Sequence, residues 1–213
     1  MSNDIFSRNG KMNETEKKNP ETRFFNFNLQ ARITCTQMGE CEKFCYARQG
    51  RYVFPSVIAK QKRNLALTKR LTFEMEIGKE IDILERRASK KGKICYFRIH
   101  DSGDYYNKEY AKRWFTIARE HPNSIFYSYT KCVQMFHDFE DANEIPDNFA
   151  VIMSYGGKQD DLIRDTDRKA KVFQSADVIP DGWVDATGND LIAIMNKNIA
   201  LPYHGSKKVK ICN

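Results

Sequence analysis

The sequence predicts an α/β protein whose parallel sheet curls into a partial or complete β/α barrel of TIM-like type. Strand-like apolar runs alternate with helix-like periodic segments from Phe24 to Tyr155, the order that makes a parallel sheet through right-handed crossovers. At 213 residues, 41% of them hydrophobic, the chain fills one domain and buries a core without staples. It contains neither an internal repeat nor an apolar run near the roughly 20 residues that span a bilayer.

Residues 1–22 are polar and rich in Asn, Lys and Glu, and read as a flexible leader before a single barrel-like domain at 23–213. They lack the apolar core of a secretory signal, so a cytoplasmic location is expected. Phe24 to Cys35 (FFNFNLQARITC) reads as a first strand that runs directly into a cysteine-rich loop at 35–45. Helices are expected at Ser56 to Arg70 and Thr72 to Ser89, the second with Ile77, Ile81 and Leu84 on one face and ended by Gly92.

Ile94 to His100 (ICYFRIH) reads as a buried second strand, followed by the turn-rich DSGDYYN. Lys108 to Glu120 has the clearest helical pattern, with Asn107 as N-cap and Pro122 past its end. Ser124 to Thr130 and Ala150 to Tyr155 continue the strands, separated by a short helix. Beyond them, Asp160 to Arg168 reads as helical, and Lys171 to Gln174, Trp183 to Ala186 and Leu191 to Met195 as short strands.

Three of the six cysteines lie in Cys35-Thr-Gln-Met-Gly-Glu-Cys41-Glu-Lys-Phe-Cys45, a C-x5-C-x3-C spacing. The cytosol keeps thiols reduced, so this clustering points to metal binding or redox chemistry rather than a disulfide framework. Thiolates select soft centres, leaving an iron-sulfur cluster or zinc. A zinc site wants a fourth ligand, for which Cys132, Cys212 and the histidines are the candidates, while three thiols alone suit a 4Fe-4S cluster with one iron open. Cys95 reads as a core thiol.

A formal charge of +7 keeps nucleic acid open as a partner, with Lys207, Lys208 and Lys210 the nearest approach to a patch. Arg86, Arg87, Lys90, Lys91 and Lys93 read as a solvated helix end. Arg98 and His100 share one face of the second strand in this reading and are candidates for substrate binding, as is Tyr129, which shares a face with Tyr127. Ser154 closes the fourth strand, where its hydroxyl would meet a small-molecule cofactor.

The cysteine triplet after the first strand, with Phe44 just before the last thiol, resembles the cluster loop of radical S-adenosylmethionine enzymes, although their usual spacing is C-x3-C-x2-C. More closely, CEKFCYA, RIHDSGDYYNKEYAKRW and FYSYTK, spread between Cys35 and Lys131, are similar to the phage gene product 88 family, described as radical-SAM-like. The resemblance implies a β/α barrel with the cluster at the C-terminal ends of the strands. It also implies S-adenosylmethionine bound near the loop after the second strand, where Ser102, Gly103 and Asp104 are the candidates and Asp104 would receive the cofactor's amine. The competing reading is a zinc-stabilised module of a phage or mobile element that binds nucleic acid or a host protein. The substrate, the oligomeric state and the number of strands are not written in the chain.

Overall fold

The computed structural model describes residues 5–203. Its sheet has seven strands, all parallel, in the order β1-β2-β3-β4-β5-β7-β6, and it curls into a half-barrel. The strands are β1 (Thr22–Phe27), β2 (Ile94–Ile99), β3 (Ile125–Thr130), β4 (Phe149–Ser154), β5 (Lys169–Phe173), β6 (Val184–Asp185) and β7 (Asn198–Pro202). Six α-helices accompany them among the described residues: α1 (Gly10–Lys18), α2 (Pro55–Leu67), α3 (Phe73–Ser89), α4 (Lys108–Glu120), α5 (Val133–Asp141) and α6 (Asp190–Met195).

Strand alternation splits the core in two. Phe25, Phe27, Phe97, Ile99, Phe126, Phe149 and Met153 turn to the outer face, where α3, α4 and α5 cover them with Phe73, Ile77, Trp114, Phe115 and Phe136. Phe24, Tyr127, Ile152, Ala170 and Ile199 turn inward against Met12 of α1 and Ala193 of α6. Both faces of β2 and β3 are therefore largely buried, which is why these strands read as near-continuous apolar runs. The expected helix at Lys108 to Glu120 has its predicted bounds, and Asn107 Oδ1 caps it by accepting from Tyr110 N at 2.8 Å.

Several elements differ from expectation. The segment read as a polar leader contributes α1, because Asn9 accepts from Met12 N and Met12 and Thr15 are fully buried. The first strand ends at Phe27, so residues 28–34 intervene before Cys35. Leu191 to Met195 lies in a helix, started by Asn189 accepting from Leu191 N at 3.1 Å. Asp160 to Arg168 is helical only over Asp160–Leu162, since Asp160 spends its carboxylate on Gly156 N and Gly157 N instead. Among the described residues no helix is long and apolar enough to cross a membrane.

Candidate metal centre

The cysteine loop is tied at its base to the loop after β2. Asn28 Oδ1 accepts from Asp101 N (2.9 Å) and Ser102 N (3.3 Å), Leu29 N donates to Ser102 O (2.9 Å), and Ser102 Oγ donates back to Leu29 O (2.8 Å). Gly103 has φ +88°, and a Cβ there would lie 2.7 Å from both Leu29 Cβ and Thr34 Oγ1, so the close approach requires glycine. Asp104 N donates to Thr34 Oγ1 at 3.2 Å. The Asp104 carboxylate accepts from Tyr105 N (2.8 Å), Thr130 Oγ1 (2.8 Å) and Lys131 N (2.9 Å), fastening the β2 loop to the end of β3. Burial pushes its carboxyl up, and those three hydrogen bonds oppose the rise.

The other side of the loop rests on the turn after β4. Met38 pairs with Gly157, Cys41 N donates to Gly156 O at 2.9 Å, and Lys158 N donates to Gln37 O at 3.0 Å. A Cβ on Gly39 would stand 2.8 Å from the Gly157 carbonyl carbon, so the two backbones are in direct contact. Cys35, Cys41 and Cys45 are thereby held across the C-terminal ends of β2, β3 and β4.

The three thiols are half-buried and close enough to feel one another's charge. Burial first, then the Asp104 charge and the other two thiols, pushes Cys35 up to about 12. Burial likewise raises Cys45, while Arg48 and Lys131 pull it down. Among the described residues, Asp82-Glu85-His121 and His137-Glu140-Asp167 each bring three ligand atoms within 4.8 Å of one another. Cys132 adjoins Cys35 but points its thiol at Tyr105 O (3.2 Å) and Thr36 Oγ1 (3.6 Å), and burial lifts it to about 12. Cys212, the other candidate fourth ligand, lies outside the described residues, as do Lys207, Lys208 and Lys210.

Ser154 sits at this end of the sheet, and together Ser154 Oγ (2.8 Å), Ser154 O (3.2 Å) and Tyr155 O (3.0 Å) cradle the Lys131 ammonium. Beneath it the inner face is polar. Arg98 stacks its guanidinium on the Tyr129 ring at 4.8 Å and pairs with Asp101 at 3.1 Å. Asp101 also accepts from Tyr52 at 2.5 Å and Asn9 at 2.8 Å, and the Tyr46 hydroxyl donates to its carbonyl. Burial opposes the Arg98 charge, but Asp101 and Asp190 hold it above the usual guanidinium value. The buried Tyr129 hydroxyl has no hydrogen-bond partner among the described residues.

His100 does not share a face with Arg98. It follows the last residue of β2 with φ +67°, which breaks the alternation and sends its ring to the outer face, 2.8 Å from the Tyr110 hydroxyl. Ser102, Gly103 and Asp104 fall beside the thiols as expected, but their polar groups are used to hold the loop rather than left free. Tyr46, Tyr52, Asp101, Lys131 and Asp190 belong to the same neighbourhood and were not singled out by the sequence. Position offered a signal for two of them, since Tyr46 follows Cys45 directly and Lys131 ends the third strand.

A family model described as gene product 88 matches residues 4–212. No curated protein and no solved structure matches the chain.

Proposed function

The chain belongs to the gene product 88 family, a family of phage gene products, and from that premise we propose that it is an iron-sulfur protein of the radical S-adenosylmethionine type. Cys35, Cys41 and Cys45 hold a 4Fe-4S cluster in this reading, with one iron left for the cofactor. The observation that carries it is the placement of three half-buried thiols of one loop across the C-terminal ends of a parallel half-barrel.

The donor set fits such a centre. Cysteine thiols give up their protons to solvent when they ligate a metal, and thiolate is the ligand that iron-sulfur clusters take. When reduced, the cluster supplies one electron to cleave a carbon-sulfur bond of S-adenosylmethionine. The chain's part is position. Asp104, Ser102 and Gly103 fix the loop, a revised role for residues expected to touch the cofactor. The oxygens of Ser154 and Tyr155, which hold the Lys131 ammonium, are acceptors of the kind that would take the cofactor's amine. Arg98 and Tyr129 lie on the inner face of the sheet, the side on which a substrate would bind, whereas His100 on the outer face has no part.

The test is an anaerobic preparation with a filled cluster, given dithionite and S-adenosylmethionine and assayed for cofactor binding and methionine release. Cleavage, with binding weakened in Ser154→Ala, supports the reading; a filled cluster that neither binds nor cleaves the cofactor overturns its enzymatic part.

A further inference from the structure

At the opposite end of the sheet, where β4, β5 and β7 begin, a cavity of about 340 Å³ opens beneath α5. Phe136, Phe149 and Met153 form its apolar wall, and Asp167, Arg168 and Lys197 line its polar side. His137 and Glu140 stand one turn apart on α5 and so share a face. Asp167, from the turn before β5, meets them so that one ligand atom from each of the three lies within 4.8 Å of the others. His137 and Asp167 are buried, with His137 Nε2 3.0 Å from Asp167 Oδ2, a separation that two ligands of one ion also show. Asp167 Oδ2 further accepts from Arg164 N at 2.7 Å, while its second oxygen makes no bond among the described residues.

The cations on the other wall make no ion pair among the described residues. Arg168 donates its Nε to Asn196 O at 3.2 Å, and neither it nor Lys197 has a carboxylate partner among the described residues. Burial of Arg168 lowers its pKa with no opposing charge. Arg164 Nη1, 4.0 Å from Glu140 Oε2, offsets part of the carboxylate charge, and a divalent cation would offset the rest before an anion entered next to Arg168 and Lys197.

We propose that His137, Glu140 and Asp167 form a divalent-cation site, and that a small ligand bearing a phosphate or carboxylate completes the coordination while pairing with Arg168 and Lys197. The cation takes the Nε2 lone pair of His137 in its neutral Nδ1–H tautomer, and the contact with Asp167 Oδ2 becomes shared coordination of the ion. Nitrogen and oxygen donors suit manganese or magnesium better than the thiol loop does, which keeps the two sites chemically separate. The ligand's apolar body would rest on Phe136, Phe149 and Met153.

The test titrates Mn²⁺ into the cluster-containing protein, following water-proton relaxation, with and without inorganic phosphate. One saturable Mn²⁺, bound about tenfold more tightly in phosphate, is the expected result. Glu140→Gln, at an exposed position, should abolish Mn²⁺ binding with iron content and thermal unfolding unchanged. Arg168→Gln should keep Mn²⁺ but lose the phosphate effect. Absence of saturable binding, or Mn²⁺ binding indifferent to Glu140→Gln, overturns the cation site; a phosphate effect that survives in Arg168→Gln overturns the anion half.

Discussion

His100 is a buried imidazole with a left-handed backbone, and both facts are measurable. Burial depresses its pKa from 6.5 to about 3. As the pH falls below about 6.5, the unfolded chain takes up a proton that the folded chain refuses until about pH 3. Stability from this residue is thus fully present above the upper value and is lost through that window, at up to about 1.4 kcal/mol per pH unit. His100→Asn tolerates the positive φ and removes the titration, so its urea midpoint should vary less between pH 6.5 and 4 than that of the wild type. Gly103 makes the complementary point. Gly103→Ala forces a side chain into a left-handed site already 2.7 Å from Leu29 and Thr34, and should cost about 3 kcal/mol by chemical denaturation.

The element that matters most is the thiol loop, and its order depends on Asp104. Asp104→Asn puts an amide NH2 against one of the donors Tyr105 N, Thr130 Oγ1 and Lys131 N, which should cost about 1 to 3 kcal/mol and let the loop shed iron faster during dialysis against a chelator. The C-x5-C-x3-C spacing made this loop legible in the sequence, and so was its neighbour DSGD. What each residue of DSGD does was not, because a carboxylate beside a glycine looks the same whether it waits for a ligand or closes three backbone and hydroxyl contacts. The strands were legible where both faces are buried, as in β2 and β3. Asn198–Pro202 escaped because NIALP carries no alternation, and Leu191 to Met195 misled because a five-residue apolar run fits a strand or a short helix equally well. His100 misled for a local reason, since one left-handed residue reverses the face of everything after it.

At the scale of the whole molecule, the half-barrel is closed on its inner face by helices from both ends of the chain. Thr15 of α1 accepts from Asp190 N at 2.9 Å, and Lys11 pairs with the buried Asp190 carboxylate at 2.8 Å. Met12 is fully buried between them and the sheet, so Met12→Ala should cost about 2 to 5 kcal/mol, a loss out of keeping with a polar leader that could be trimmed away. Closing the inner face in this way leaves the C-terminal ends of the central strands to the thiol loop. The central claim is that this loop holds a cluster, and it is tested most directly by iron, acid-labile sulfide and zinc measured on protein purified without oxygen, alongside Cys41→Ala. The account predicts about four irons with matching sulfide in the wild type and their loss in the variant; about one zinc with no iron would contradict it.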